Sequence, residues 1–472
     1  RGANRNIDFI DSSHPTRVIT RNGNVTQGSF SPFSQDEGKW GVYFDDDQGY
    51  VRTPTTADFN LSTNDFCYEG WIWAEDPNAV SYPRFLGLGP YYNDVNSFGI
   101  TIADSDVSDY ITAYWNDGTL ARKLSSTSTL PANQWNHLAV VRSGSNFALF
   151  LNGTRIATYT SSSAIGSGNN YAFVGDTDPV SGDEGYVGYF SNVRLVNGSS
   201  VYDPTQTSIT VPTSPLTDIT NTKLLVGQSN RFVDNSSVGN ALTLASTPKV
   251  VPFSPFAPST AYDPATKGGS GYFDSLDDQV RIADDATLEV GSQDFSCEAW
   301  VYPTSFSQTG SIFAKWDSGD SSNRTFAPTQ NTNGTITYYV VINSSLGSYT
   351  TTNALQLNAW NHFVISRSGS SHSVYINGEL GASFTNAGSF NNVSAVFSIG
   401  GNNNTNAFQW PGGYISDVRL VVGSNVYSGG VTIPTAPLTA ITNTSLLCNF
   451  TNAGIYDGTG RNVLETVGDA QV

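Results

Sequence analysis

Short apolar runs alternate with polar turn residues along the whole 472-residue chain, and no long stretch has the helical period. Two segments, "FALFLNGTRIATY" from Phe147 and "SVYINGELGASF" from Ser373, each consist of two β-runs around an Asn-Gly dipeptide. Asn-Gly between two such runs is typical of the two-residue type I′ turn of a β-hairpin. The pattern therefore predicts an all-β protein of two-sheet sandwiches.

This pattern occurs twice in the chain. "WNHLAVVRSGSNFALFLNG" from Trp135 returns about 225 positions later as "WNHFVISRSGSSHSVYING" from Trp360. "FSNVRLVNGSSVY" from Phe190 returns at the same spacing as "ISDVRLVVGSNVY" from Ile415. A repeat of this length is too long for a solenoid unit, so each copy should be a complete domain.

A third repeated stretch sets the predicted boundaries. "NIDFIDSS" near the start resembles "NRFVDNSS" from Asn230 and "NAGIYDGTG" from Asn452. If this stretch opens each copy, residues 1–221 form a first sandwich that lacks its first strand, and residues 222–444 form a second. Residues 445–472 are then the opening strand and loop of a third copy, or a segment donated to a neighbouring molecule by strand addition. Either more polypeptide exists on both sides, or the end segments complete neighbouring molecules.

The composition excludes several classes of function. Acidic residues outnumber basic ones 40 to 22, and the net charge is −18, so nucleic acid is excluded as a partner, since phosphate binding needs clustered Lys and Arg. No apolar run is long enough for membrane insertion. The three cysteines fit neither a disulfide framework nor a zinc site and are expected to be unpaired. Cys67 and Cys297 should point to opposite faces of equivalent strands.

Five motifs keep their order in both copies: "YFD", "DF" followed by "E.W", "WNH" followed by Arg, "NG" and "VRLV". They begin at Tyr43 and at Tyr272. In this order the chain resembles tandem laminin-G-like domains of the concanavalin A-like lectin/glucanase superfamily. The resemblance implies a jelly-roll sandwich of two antiparallel sheets in each copy. Arrayed domains of this type are common in phage structural proteins and in marine bacterial surface proteins.

The carboxylates that glucanase chemistry needs are not in place. The glucanases of this superfamily carry E-x-D-x-x-E on one strand, and a retaining mechanism needs two carboxyl groups roughly 5 Å apart. Glu69 and Glu75 are about 20 Å apart along a strand, and the second copy has Glu298 alone. The repeated His137 and His362 are interpreted as hydrogen-bonded parts of the sandwich. No catalytic residue is predicted, and the protein is expected not to be an enzyme.

Two groups of acidic residues are candidate metal ligands, with solvated turns as the alternative for both. The resemblance implies Ca²⁺ at a sandwich rim, and this ion takes six to eight oxygen ligands. The first group follows the "YFD" strand of each copy, so a site there should recur; its members are Asp45, Asp46 and Asp47, then Asp274, Asp277 and Asp278. The second group occurs in the first copy alone and consists of Asp176, Asp178, Asp183 and Glu184.

Aromatic residues outside the repeated motifs are candidates for glycan contacts, because sugars stack on aromatic rings beside polar donors. These candidates are Tyr114, Trp115, Trp316 and Trp410. Different aromatic residues on a common framework are what two divergent recognition surfaces would have. Spacer loops without a ligand would have them as well.

Together these features indicate a non-enzymatic structural or adhesive protein of a virion surface or an extracellular cell surface. We expect a lectin-like repeat array, of the phage-fibre or capsid-decoration type, that binds host or cell-surface glycans. Other expected partners are copies of itself and other virion or surface proteins, and Ca²⁺ is the one expected cofactor. The alternatives are a self-assembling extracellular filament or spacer without a glycan ligand and, more distantly, a polysaccharide hydrolase.

Overall fold

The computed structural model describes residues 9–13, 17–46, 48–89, 97–116, 120–166, 168–176, 184–256, 263–317, 319–402 and 408–451. They fall into two compact units. One unit, named sandwich A, is Asp36–Ser259. The other, sandwich B, combines Arg1–Gln35 with Thr260–Val472.

Strands make up most of the regular structure. The amino-terminal segment holds β1 (Ile19–Asn22) and β2 (Thr26–Gly28). Sandwich A holds β3 (Gly41–Phe44), β4 (Tyr50–Arg52), β5 (Phe66–Ala74), β6 (Arg84–Leu88), β7 (Phe98–Asp104), β8 (Tyr110–Asn116), β9 (Leu120–Ser125), β10 (Asn136–Ser143), β11 (Asn146–Leu151), β12 (Thr154–Thr160), β13 (Ala172–Gly175), β14 (Gly188–Asn197), β15 (Thr222–Val226), β16 (Thr243–Ala245) and β17 (Lys249–Val251). Sandwich B continues with β18 (Ser270–Phe273), β19 (Gln279–Ile282), β20 (Phe295–Pro303), β21 (Gly310–Ser311), β22 (Phe313–Trp316), β23 (Arg324–Gln330), β24 (Thr335–Ile342), β25 (Ser345–Ala354), β26 (Asn361–Ser368), β27 (Ser371–Ile376), β28 (Glu379–Thr385), β29 (Phe397–Ile399), β30 (Gly413–Val422) and β31 (Thr444–Cys448).

The described helices are short. They are α1 (Pro264–Lys267) and the 3₁₀ turns Ala57–Phe59, Ser105–Val107 and Ala286–Leu288. None of these helices is long and apolar enough to cross a membrane.

Each sandwich has two antiparallel sheets. In sandwich A one sheet has the order β12-β11-β10-β5-β14-β3-β17, with β15 also on β14, and the other has β16-β4-β13-β6-β7-β8-β9. In sandwich B the corresponding orders are β2-β18-β30-β20-β26-β27-β28, with β31 also on β30, and β1-β19-β29-β22-β23-β24-β25, with β21 also on β23. We name the sheets that contain β10 and β26 the His sheets, and the others the facing sheets. The predicted tandem of all-β sandwiches is confirmed.

Alternation along the central strand of each His sheet separates two packing surfaces. In β20, Phe295, Cys297 and Ala299 belong to the hydrophobic core of sandwich B, and Glu298 lies on the outer face. In β5, Cys67 belongs to a small outer cluster that packs against the segment after β14. The predicted opposite orientation of the two cysteines is therefore confirmed, and all three cysteines are buried and unpaired.

Both predicted Asn-Gly hairpins are present. The turns at Asn152–Gly153 and Asn377–Gly378 have positive φ at both residues, which is the type I′ geometry that Asn and Gly adopt at low cost. Each turn asparagine also accepts a hydrogen bond from the backbone N–H of the motif histidine, His137 at 2.8 Å or His362 at 2.9 Å. The turn therefore fixes the start of the strand that carries the histidine.

The boundaries of the sandwiches differ from the predicted 1–221, 222–444 and 445–472. Beyond residue 221, β15, β16 and β17 pair with β14, β4 and β3 and complete sandwich A. β1 and β2 pair with β19 and β18 and complete sandwich B. β31 pairs with β30 of the same sandwich, and residues 452–472 lie outside the described residues. The physical reason is that the "NRFVDNSS" stretch and the strands after it close the free sheet edges at the end of a sandwich rather than opening the next one.

Candidate functional site

A carboxylate is buried among hydrogen-bond donors on the outer face of the His sheet of sandwich A. It belongs to Glu69 of β5, whose neighbours are β10 and β14. His137 Nε2 lies 3.1 Å from Oε2, and Arg194 donates from Nε and Nη2 to Oε1 at 3.1 and 2.6 Å. The Tyr202 hydroxyl donates to Oε2 at 2.8 Å. We name these four residues the Glu cluster of sandwich A.

The same arrangement occurs in sandwich B. Its Glu cluster consists of Glu298, His362, Arg419 and Tyr427. The imidazole Nε2 lies 3.0 Å from the carboxylate, the arginine Nε and Nη2 donate at 2.9 and 2.6 Å, and the tyrosine hydroxyl donates at 2.5 Å. Each member lies in or just after a repeated motif. The repetition of all four was the sequence signal that they act together.

Both carboxylates are ionised although they are buried. Burial by itself would raise the pKa of Glu69, but the hydrogen bond and charge of His137, together with the charge of Arg194, lower it below its ordinary value. The same balance lowers the pKa of Glu298. Neither residue is exposed to solvent. These two carboxylates form hydrogen bonds to side chains of neighbouring strands. A glycosidase needs carboxyl groups that reach the substrate, so the buried pair is not placed to act on a sugar.

An aromatic cover lies over each Glu cluster. In sandwich A the ring centroid of Phe256 is 5.8 Å from that of Trp71, which is 5.2 Å from that of His137. In sandwich B Phe33 takes the same place, 5.6 Å from Trp300. The two phenylalanines come from the "SPF" motifs that follow β17 and β2. The outer face of each His sheet is thereby covered.

One predicted group of metal ligands comes together. Carboxylate oxygens of Asp274, Asp277 and Asp278 lie within 4.8 Å of one another between β18 and β19. The Asp278 carboxylate accepts hydrogen bonds from the backbone N–H groups of Asn24 and Asp274 at 2.6 and 2.8 Å. Burial, and after it the like charge of Asp274, raises the pKa of Asp278 to about 6. Three such oxygens are part of the six to eight that Ca²⁺ needs.

The counterpart of this group in sandwich A has different surroundings. Asp45 pairs with Lys249 Nζ at 2.7 Å, and Asp46 accepts a hydrogen bond from the Ser246 hydroxyl. Asp47 lies outside the described residues. Lys249 opens β17, whereas the corresponding strand of sandwich B, β2, opens with a threonine. In sandwich A the positive charge beside Asp45 therefore comes from this lysine.

The other predicted acidic group is described in part. Asp176 is buried, and its backbone N–H donates to the carbonyl of Gly49 at 3.0 Å. Glu184 forms an ion pair with Arg84. Asp178 and Asp183 lie outside the described residues.

The four aromatic residues predicted to contact glycans are buried. Trp115 is 1% exposed and stacks on Phe147 with ring centroids 4.8 Å apart, and Trp410 belongs to the core of sandwich B. Tyr114 and Trp316 are each 7% exposed. Their role in glycan binding stays a prediction. Of the four, Trp316 belongs to a cluster on an outer face.

That cluster lies on the facing sheet of sandwich B. In β24, Tyr338 and Val340 point into the core, so Tyr339 between them points outward, where it is partly exposed. The Arg324 guanidinium lies 5.1 Å from the ring centroid of Trp316, a cation–π distance. We name as the outer patch Ala314, Trp316, Arg324, Ala327, Tyr339 and Val341. Its apolar members other than Tyr339 are buried, and Tyr339 and Arg324 are partly exposed. Sequence reasoning missed all of the patch except Trp316.

Comparison with known proteins gives one family. A family model for the concanavalin A-like lectin/glucanases superfamily matches residues 45–200 and 273–423. No curated protein matches the chain.

Several solved structures resemble the chain weakly. Domains LG4-5 of the mouse laminin alpha1 chain are 9% identical over 87% of this chain and 96% of theirs, with a TM-score of 0.27. A SAP-like pentraxin from Limulus polyphemus is 13% identical over 45% and 94%, with a TM-score of 0.31. Domain 4 of a GH43 extracellular arabinanase from Geobacillus stearothermophilus, in complex with arabinotriose, is 21% identical over 35% and 73%, with a TM-score of 0.26. No residue role is transferred from these structures.

Proposed function

The chain belongs to the concanavalin A-like lectin/glucanase superfamily, and from this we infer that it is a carbohydrate-binding or adhesive protein rather than an enzyme. We place it at a virion surface or a cell surface, as a tandem array that engages host or cell-surface glycans. The observation that supports binding over catalysis is the Glu cluster. The carboxylate that recurs at the same motif position in both sandwiches is buried and fully engaged with protein donors.

Tyr339 and Arg324, the partly exposed members of the outer patch, are the residues that we propose to contact a glycan. A tyrosine recurs at one position of both facing sheets, because Tyr114 lies opposite Gly99 and Tyr339 lies opposite Ala327 in equivalent strand pairs. Tyr114 is buried beside an arginine, whereas Tyr339 is partly exposed. The framework is therefore common to both sandwiches, while access to this tyrosine differs. Sandwich B is the one that we expect to bind a sugar here.

Replacing Tyr339 with alanine should weaken glycan binding about fivefold, because stacking on an aromatic ring contributes on the order of 1 kcal/mol. Binding is measured on a glycan array and then by calorimetry with the best ligand. Leu380→Ala is the control, since Leu380 is 52% exposed and lies in β28 of the His sheet. Unchanged binding by a folded Tyr339→Ala variant would exclude the outer patch. Release of reducing ends from any polysaccharide would contradict the non-enzymatic assignment.

We also propose that the carboxylates of Asp274, Asp277 and Asp278 bind Ca²⁺. At a concentration about 100 times the dissociation constant, Ca²⁺ should stabilise the folded state by about 2.7 kcal/mol and raise the melting temperature. The gain should disappear in Asp274→Asn and persist in Asp45→Asn, the matched change at the last position of the "YFD" motif in sandwich A. Because the pKa of Asp278 is about 6, protons should compete with the ion and weaken binding as the pH falls below that value. Equal melting curves with and without Ca²⁺ at pH 7.5 would contradict the site.

A further inference from the structure

The described part of residues 9–35, which is residues 9–13 and 17–35, completes sandwich B through the same hydrogen bonds that hold the equivalent segment in sandwich A. In sandwich A, Asp234 Oδ1 accepts from the N–H of Leu225 at 2.9 Å, and the N–H after Asp234 donates to the Leu225 carbonyl at 2.7 Å. In sandwich B, Asp11 Oδ1 accepts from the N–H of Leu447 at 3.2 Å, and the N–H of Ser12 donates to the Leu447 carbonyl at 2.8 Å. The two segments are therefore structurally equivalent.

Sandwich B depends on this segment for its core and its cover. Phe9 and Val25 belong to its hydrophobic core, and the Phe9 ring meets that of Phe450 at 5.8 Å. Phe30 lies 5.0 Å from the ring of Tyr302 on the outer face of the His sheet. Without the segment these apolar surfaces would be exposed and the edges of β18 and β19 would be unpaired.

The covalent route to the segment is very different in the two sandwiches. Asp234 follows Leu225 by nine positions, so in sandwich A the segment arrives through a short loop. Asp11 and Leu447 are 436 positions apart, and all of sandwich A lies between them in the chain. A short loop keeps a segment at high local concentration, whereas a route through a whole domain does so much less. The segment of sandwich B is thus the one for which a second molecule can compete.

The seam between the segment and the rest of sandwich B is polar along part of its length. An open pocket of about 300 Å³ there is lined by Arg17 of the segment and by Thr287, Glu289 and Ser445. Arg17 donates hydrogen bonds to the Ser445 carbonyl and to the Thr287 hydroxyl. Polar groups along part of the seam lower the cost of separating it in water, since both sides can be hydrated.

We propose that residues 9–35 of one copy of this chain complete sandwich B of a second copy, so that copies join head to tail. Every copy carries both the segment and the sandwich that accepts it. The contact is heterologous and therefore leads to open chains, or to rings where the geometry closes. The segment can also complete the sandwich of its own molecule. Because this intramolecular pairing competes with pairing between molecules, assembly increases with protein concentration.

A disulfide test uses two strand pairs that match residue for residue. Thr20 of β1 lies opposite Arg281 of β19, and Thr243 of β16 lies opposite Arg52 of β4. Directly opposite residues of antiparallel strands have Cβ atoms about 4.5–5.5 Å apart, close to disulfide range. Full-length Thr20→Cys and Arg281→Cys chains are mixed, unfolded, refolded together at several concentrations and oxidised. Thr243→Cys mixed with Arg52→Cys is the matched control.

We expect an interchain disulfide between Thr20→Cys and Arg281→Cys chains, rising with concentration and at least about tenfold above the control mixture. Double variants of each pair should form the bond within one chain when dilute, which checks the geometry. The proposal fails if the Thr20/Arg281 double variant closes internally and the mixture never cross-links. It also fails if neither the mixture nor the Thr20/Arg281 double variant forms a disulfide while the Thr243/Arg52 double variant does, because the segment would then not pair with β19. Light scattering of the unmodified chain should show mass increasing with concentration.

Discussion

Replacing Arg419 with alanine is expected to lower the free energy of unfolding of sandwich B by about 3–5 kcal/mol, because it leaves a buried carboxylate without its main partner. Arg419 donates twice to Glu298, at 2.9 and 2.6 Å, and the carboxylate is not exposed to water. His362 and Tyr427 would remain, but both bind the other carboxylate oxygen. The loss is that of an uncompensated charge, which exceeds the net stabilisation by the pair itself.

Unfolding in urea is monitored by hydrogen exchange, and the exchange of peptides from β20 and β26 reports the loss of stability in sandwich B. Lys223→Ala is the control, since Lys223 pairs with Asp58 at 2.8 Å while their side chains are 28% and 35% exposed, and such pairs contribute about 1 kcal/mol or less. Arg194→Ala should cause the same loss in the peptides of sandwich A. If Arg419→Ala costs no more than Lys223→Ala, the Glu cluster does not hold the sheet together.

The pH dependence gives a second test of the same cluster. The folded state lowers the pKa of Glu298 below its ordinary value of 4.5, so the carboxylate stabilises the fold above that pH. This contribution is lost as the pH falls through the lowered pKa. The contribution of Glu298 should therefore be lost below about pH 4.5, and less of it should be lost in Arg419→Ala, since the folded-state pKa of Glu298 is less depressed there. Measuring unfolding at pH 7, 5 and 4 separates this effect from a loss of packing.

The β class, the duplication and the hairpins were predictable because their signals are local. Alternation of apolar residues sets a strand, and Asn-Gly sets a type I′ turn, without knowledge of distant partners. The orientation of Cys67 and Cys297 followed in the same way, from counting along a strand. The Glu cluster was less accessible, since it requires the lateral order β10-β5-β14.

The assignments that depend on strand pairing were the ones that failed or stayed incomplete. The "NRFVDNSS" stretch lies between two copies, and its sequence fits either neighbour until its edge partners are known. Trp115 was taken as variable because no tryptophan recurs in the second copy, yet it pairs with Phe98 as Val340 pairs with Phe326. Both are core positions of the facing sheet. One core position can hold side chains of different volume when neighbouring residues compensate.

One position of the "VRLV" motif region holds an asparagine in sandwich A and an aspartate in sandwich B. Asn192 in "SNVRLV" corresponds to Asp417 in "SDVRLV", and their φ values are 52° and 51°. The Oδ1 of Asn192 accepts from the N–H of Leu216 at 2.9 Å, and that of Asp417 accepts from the N–H of Leu438 at 2.7 Å. The Nδ2 of Asn192 donates to the Ser191 hydroxyl at 2.8 Å, and the Ser416 hydroxyl donates to the Oδ2 of Asp417 at 2.6 Å. An amide thus fits the site as well as a carboxyl group does.

Asp417→Asn should stabilise sandwich B at pH 8 and leave it nearly unchanged at pH 4. Burial, with the nearby charge of Glu298, raises the pKa of Asp417 from 3.8 to about 7. Between these values the unfolded chain releases a proton that the folded chain keeps, so stability falls as the pH rises and is constant above about pH 7. Asparagine has no proton to release, and the gain should approach an upper bound on the order of 4 kcal/mol. Asn192→Asp should introduce the same pH dependence into sandwich A. Urea unfolding from pH 4 to 8 checks both variants, and a gain that is equal at all pH values would contradict the assignment.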